Sequence, residues 1–225
     1  MIAAAVRQIA IAVDGPASSG KGTVARRVAN RLGFQLVDTG AMYRTVALAA
    51  LRADVDLNDA AAVEQIARGI RFRFAFNGGD LTVEADGEDV TEVIRGQPVG
   101  AAASIVATHA GVRTALLGLQ RALGAGGGVV MDGRDIGTVV LPSAELKVYL
   151  DASLDARAER RWRQLPDGDF EQVRAELAER DRRDTSRAIA PLACADEAVR
   201  IDTTGIGVES VVEFIVTLAK ARQAR

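Results

Sequence analysis

The stretch between Ile9 and Thr23 constrains this chain most. A short apolar run, Ile9-Ala10-Ile11-Ala12-Val13, reaches Asp14 and breaks into Gly15-Pro16-Ala17-Ser18-Ser19-Gly20-Lys21-Gly22-Thr23. Residues 24–32 then carry apolar side chains at helical spacing. The order is strand, loop, helix. Gly15 and Gly20-Lys21 have the separation of a P-loop, in which successive backbone N–H groups wrap phosphates. The loop ends at a helix N-terminus, where free N–H groups and the helix dipole favour an anion.

The loop departs from the commonest pattern at one place. Gly22 follows the lysine, and the hydroxyl comes one residue later, at Thr23. This Gly-Lys-Gly-Thr ending resembles the nucleoside monophosphate kinases.

The rest of the chain alternates strand and helix patterns. Strands are expected at residues 9–13, 35–38, 128–132, 146–150 and 199–202, most of them nearly continuous in apolar residues. Such runs fit strands covered on both faces. Helices are expected at residues 22–32, 41–53, 59–68, 98–123, 153–165, 170–186 and 208–222. The fold class is α/β: a five-stranded parallel sheet of the P-loop NTPase type with helices on both faces. Residues 70–76 and 81–85 alternate around Asn77-Gly78-Gly79-Asp80, and a short strand can follow at residues 88–90. That reads as an antiparallel insertion, residues 69–96, in a single domain spanning residues 1–225. Pro166-Asp167-Gly168-Asp169 is a polar turn between two arginine-bearing helices, the candidate tip of a helical lid over residues 157–187.

Composition narrows the function classes. The chain has 225 residues, 48% of them hydrophobic, enough for one sizeable core. Residues 1–7 lack the pattern of a signal peptide, and no apolar run has the length of a membrane span. A cytoplasmic protein without a membrane partner is expected. The net charge of −2 argues against a nucleic-acid partner. A single cysteine, Cys194, excludes an internal disulfide, fits a reducing compartment, and is expected to be a small buried residue. His109, the only histidine, reads as a surface or helix-packing residue.

Three further constellations carry chemistry. Asp38-Thr39-Gly40-Ala41-Met42-Tyr43-Arg44 starts at the carboxyl end of the second strand, where open α/β sheets bind ligands. Thr39 and Arg44 can contact a ligand there, or form a plain helix cap beside a solvated arginine. Val129-Val130-Met131-Asp132 is an apolar strand ending in a carboxylate, the form that holds magnesium in P-loop enzymes. Arg134 and Asp135 emerge at the same sheet edge. Arg180, Arg183, Asp184 and Arg187 share one helix face, either to grip a phosphorylated ligand or as a solvated face of ion pairs. Arg157, Arg160, Arg161 and Arg163 on the preceding helix leave the same choice open.

Taken together, the motifs resemble the bacterial cytidylate kinases over essentially the whole chain. The pieces are residues 15–23, residues 38–44, Asp132-Gly133-Arg134-Asp135-Ile136-Gly137-Thr138-Val139-Val140, and the run from Arg180 through Asp184-Thr185-Ser186-Arg187 to Pro191-Leu192. The resemblance implies transfer of the γ-phosphoryl group of ATP to CMP, and to dCMP, with Mg²⁺ as cofactor. Gly15, Pro16, Ala17, Ser18, Ser19, Gly20, Lys21, Gly22 and Thr23 would hold ATP. Thr39, Ser104, Arg113 and Asp135 would read cytosine, Arg44 and Arg134 would hold the CMP phosphate, and Asp184 would take the ribose hydroxyls. Arg180 and Arg187 would lie nearby on the phosphate side. Lys21, Arg134, Arg160, Arg180 and Arg187 would assist transfer, and Thr23 and Asp132 would serve the metal. No extended apolar stripe is left over, so a monomer is expected.

Overall fold

The computed structural model describes residues 7–77, 80–165 and 168–224. The chain opens with β1 (Ala10–Asp14), α1 (Lys21–Leu32), β2 (Gln35–Asp38), α2 (Thr39–Arg52), α3 (Ala60–Gly69), β3 (Phe72–Asn77), β4 (Asp80–Ala85) and β5 (Glu88–Asp89). It continues through α4 (Gln97–Val106), α5 (Ala110–Gly124), β6 (Val129–Asp132), β7 (Leu146–Asp151), α6 (Leu154–Trp162), α7 (Phe170–Ser186), β8 (Val199–Asp202) and α8 (Val208–Gln223).

Every residue of β1 is buried, which is why its sequence is apolar without alternation. The two faces of the strand meet different helices. Ile9, Ile11 and Val13 pack with Val24, Val28, Val212 and Ile215 of α1 and α8. Ala12 turns the other way, towards Val46 of α2, Val106 of α4 and Leu116 of α5. Ala12 is small, and that face is covered by α2, α3, α4 and α5. The five expected parallel strands pair in the order β2-β6-β1-β7-β8. The chain therefore leaves β1, skips a place, and returns on both sides. The carboxyl ends around that switch form a crevice, where sheets of this kind bind ligands. Asp38 and Asp132 are register partners at this rim.

Two expectations need correction, and one junction is new. The antiparallel strands join the parallel sheet, because β4 pairs with β2 through Leu36 and Asp80. One sheet of eight strands results, with β3, β4 and β5 extending its edge. The expected helix over residues 98–123 is two helices, α4 and α5, set at 104°. Apolar spacing runs through the break, but Thr108 Oγ1 bonds back to the Ile105 carbonyl at 2.7 Å, and His109 adopts an extended backbone. The His109 ring reaches the Leu57 carbonyl at 2.7 Å and fixes the corner. Cys194 is exposed, because it lies in the irregular segment leading to β8 and not in an element that faces the core. Gly78 and Gly79 of the expected turn, and Pro166 and Asp167 of the expected lid tip, lie outside the described residues.

The loop after β6 is held by an unexpected residue. Asp14, the last residue of β1, accepts hydrogen bonds from Ile136 N at 2.8 Å and Gly137 N at 2.7 Å. The chain there makes a single π-type turn, with Val140 N bonded to Asp135 O and Leu141 N to Ile136 O. Burial pushes the Asp14 carboxyl up to about 6, against the two amides. An acid raised in this way contributes most stability when protonated. That contribution is complete below about pH 4 and declines as the pH rises towards about 6. Asp14→Asn removes this titration. Urea unfolding should show a wild-type advantage over Asp14→Asn that is larger at about pH 4 than at about pH 7, by on the order of 3 kcal/mol. A difference independent of pH would contradict the burial argument.

Candidate active site

The phosphate loop is shaped by backbone geometry. Gly15 has φ +147°, and an added Cβ would overlap the Leu150 carbonyl of β7. Ser18 holds φ +60° and Gly20 +92°, so the chain curls before Gly20 caps α1. The N–H groups of the first turn of α1 have no intrahelical acceptors and face the loop. Three of the loop's carbonyls meet donors: Pro16 O accepts from Lys21 Nζ at 2.7 Å, Ala17 O from Arg157 Nη1 at 3.2 Å, and Ser19 O lies 3.1 Å from Thr203 Oγ1, a hydroxyl it shares with the Asp151 carbonyl at 3.0 Å. Burial, with Arg134 and Arg180 close by, holds the Lys21 ammonium well below the usual lysine range.

A cavity of about 300 Å³ opens beside Lys21 and Gly22. It is lined by Thr39 and Arg44 of α2, Ser104 of α4, Arg113 of α5, Asp132 at the end of β6, Arg134 and Asp135 just after it, and Arg180, Asp184 and Arg187 of α7 and its end. All nine residues expected to bind the acceptor thus meet in one cavity, drawn from five segments of the chain. Asp135 accepts from Arg113 Nη2 at 2.5 Å, and the Arg113 guanidinium lies 5.5 Å from the Tyr43 ring centroid. Arg134 Nε donates to Asp184 Oδ2 at 2.9 Å. Arg44 is ion-paired with Asp38. Thr39 is not a cap but the first residue of α2, and its hydroxyl donates to the Asp132 carbonyl at 2.9 Å.

This cavity is electrostatically incomplete. Six cations line it against four carboxylates. Arg44 Nε, Ser104 Oγ, Arg113 Nε, Asp132 Oδ1, Arg180 Nε and Arg187 Nη2 are buried without hydrogen-bond partners. Buried polar atoms normally find partners, so six lapses around one cavity point to a ligand. Burial, then Arg134, lowers Arg180 to about 10. Burial, then Asp38, raises Asp132 to about 7. Burial also pushes Asp184 up, but Arg134, Arg187 and Arg180 outweigh it and hold the carboxylate low. Crowded like charges in a buried site make an anion the favoured guest.

A second cavity of about 630 Å³ lies on the other side of Lys21 and Gly22, lined by Ser18, Ser19, Gly20, Thr23, Arg160, Thr203, Ile206 and Val208 among others. Arg160 belongs here and not among the acceptor-side cations. It donates to Thr203 Oγ1 at 3.0 Å and to Thr203 O at 2.5 Å, because the turn of α6 that carries it faces the end of β8. Thr23 and Asp132 border different cavities, separated by Lys21 and Gly22. Arg183 leaves the face shared by Arg180, Asp184 and Arg187 and lies 3.5 Å from Glu179. A third cavity, about 820 Å³, opens between α4 and α7 and shares Ser104 and Arg180. Sequence reasoning missed Asp14 and Thr203, and it left Arg157 open between a ligand contact and a solvated ion pair. Of the two missed, only Asp14 gave a signal, as a charge ending an apolar strand just before the loop.

The family model for cytidylate kinase matches residues 11–221. A cytidylate kinase from Geobacillus kaustophilus is 48% identical over 220 residues, covering 96% of this chain and 98% of that protein. One from Pelotomaculum thermopropionicum is 50% identical over 216 residues, covering 94% and 96%. Among solved structures, shikimate kinase from Bacteroides thetaiotaomicron aligns with a TM-score of 0.50 at 11% identity, covering 95% of this chain and 99% of that one. An uncharacterised protein from Eubacterium ventriosum gives 0.53 at 13% identity, covering 94% and 98%. At such identities the likeness is one of fold. With the family model covering nearly its full length and relatives near half identity, the chain belongs to the cytidylate kinase family.

Proposed function

We propose that this protein transfers the γ-phosphoryl group of ATP to CMP, and to dCMP, giving ADP and CDP or dCDP. The observation that carries this reading is the meeting of two cavities at Lys21 and Gly22, one beside the phosphate loop and one rich in cations. ATP enters through the first. Its phosphates lie on backbone N–H groups of the loop between Pro16 and Thr23, and Ile206 and Val208 offer its base an apolar wall. CMP fills the second, where an excess of two cations matches a phosphate dianion.

The cytosine end is read by polar groups of fixed role. The Thr39 hydroxyl spends its hydrogen on Asp132 O, so towards a ligand it can only accept, as an exocyclic amine requires. Asp135 also accepts, and Ser104 and Arg113 hold unpartnered donors. Arg44 and Arg134 grip the acceptor phosphate. Arg180 and Arg187 stabilise charge on the transferring group, and Asp184 takes the ribose hydroxyls.

The acceptor needs no general base, since a phosphate monoester with a second pKa near ~6 is already largely ionised at neutral pH. Its oxygen attacks in line, and the protein's work is positioning and charge stabilisation. Lys21 follows the β- and γ-phosphates. The residues present fit a magnesium ion: Asp132 Oδ1 is a buried carboxylate oxygen without a partner, and Thr23 offers a hydroxyl at the start of α1. Mg²⁺ held there would neutralise charge that develops on the triphosphate during transfer. Residues 157–187 act as a lid that closes the cavity between α4 and α7 and excludes water. Residues 69–96 belong to the acceptor-binding part of a single kinase domain. The exposed thiol of Cys194 suits the reducing cytoplasm, where the enzyme works as a monomer on small molecules, without nucleic acid or membrane.

A coupled ADP-release assay across CMP, dCMP, UMP, AMP and shikimate tests the reading. CMP and dCMP should far exceed the others, and equal turnover of AMP or UMP would overturn it. Lys21→Ala should lower kcat on the order of 10²–10³-fold with the melting temperature retained. Asp184→Ala should weaken both substrates, because Arg134 loses its anchor. Its kcat/KM for CMP should fall about tenfold further than for dCMP, the worth of one charged hydrogen bond. Equal losses would remove the ribose role.

A further inference from the structure

Arg157 is a buried arginine that lines neither nucleotide cavity. Its guanidinium touches three segments that are far apart in sequence. Nε donates to the Ala152 carbonyl at 3.0 Å, just past β7. Nη1 donates to the Ala17 carbonyl of the phosphate loop at 3.2 Å. The same nitrogen is ion-paired at 2.6 Å with Asp181 Oδ2 on α7. Arg157 is buried, and its neighbours Ala17 and Ala158 belong to one small apolar cluster with Val173 and Leu177 of α7.

The Ala17 contact matters because a trans peptide is planar and points its C=O and N–H in opposite directions. A carbonyl drawn towards Arg157 sends the N–H of Ser18 the other way, and Ser18 borders the cavity beside the loop. The same rotation leaves Ser18 at φ +60°, a left-handed conformation that a side chain disfavours. Such a conformation persists only where its surroundings hold it. Within the loop Ser18 is the one residue other than glycine with positive φ, and it follows the carbonyl that Arg157 holds.

We propose that Arg157 is a positioning residue for ATP: held by Asp181, it turns the Ala17 carbonyl outward and so aims the Ser18 N–H at the triphosphate. This rests on the assignment of the loop to ATP. Lysine cannot replace the fork, since one ammonium on a shorter reach cannot serve Ala152, Ala17 and Asp181 together. The clamp also joins the loop to the helix that carries Arg180 and Asp184.

Steady-state kinetics on the full-length enzyme test this, with KM measured for ATP and CMP separately and thermal unfolding followed in parallel. Arg157→Lys should raise KM for ATP about tenfold or more and leave KM for CMP within about twofold. Adding Ser18→Gly should recover a large part of the ATP affinity, because glycine adopts positive φ without the clamp. Asp181→Asn should raise KM for ATP severalfold, and its partly exposed side chain keeps the test alive if Arg157→Lys does not fold. An unchanged KM for ATP, a parallel rise in both KM values, or no recovery with Ser18→Gly would overturn the proposal. Wild-type protein that makes no ADP when CMP is added would instead defeat the kinase reading.

Discussion

A planar peptide can offer its N–H to an anion only when its carbonyl is accommodated on the opposite side. The phosphate loop meets this demand by using the rest of the fold as a carbonyl binder. Ala17 O rests on Arg157 from α6, and Ser19 O on Thr203 from the end of β8. Arg160 donates to the Thr203 hydroxyl and forces its hydrogen towards a carbonyl. Gly15 lets the chain pass the end of β7 where a side chain would overlap Leu150. The cradle is thus a consequence of where β7, β8 and α6 end.

The acceptor side depends on an opposite condition, the crowding of buried charge. Lys21 and Arg180 are both driven down and Asp132 is driven up, because water is excluded around all three. The cavity keeps guanidinium and hydroxyl atoms buried without protein partners. Burying unmatched charge costs stability, and an anion bound beside such charge offsets that cost. Asp14 keeps this array aligned with the cradle by tying the turn after Asp135 to the last residue of β1.

The parallel strands were legible because each is buried on both faces, and the order of strand, loop and helix made the phosphate loop readable. The break at residues 107–109 was not, since apolar spacing continues through it and the corner depends on a distant carbonyl, Leu57. The joining of the hairpin to the main sheet was equally hidden, because a single pairing of Leu36 with Asp80 decides it. Arg160 and Arg180 look alike in the chain. One turns to β8 and the other to the acceptor cavity, a difference set by helix rotation against neighbours.

By itself the sequence determined the parallel α/β architecture and the phosphate loop, which follow from local periodicity and glycine spacing. The set of side chains that meet in the cavity beside Lys21, Ser104 and Arg113 included, came with the resemblance of whole motifs to a known family. Only the tertiary structure decided which arginines face a ligand and which brace the backbone, and that Asp14 and Arg157 hold the two halves of the site in place. The reason is physical: a guanidinium's role depends on which acceptors lie within about 3 Å of it, and those acceptors come from segments that folding alone brings together.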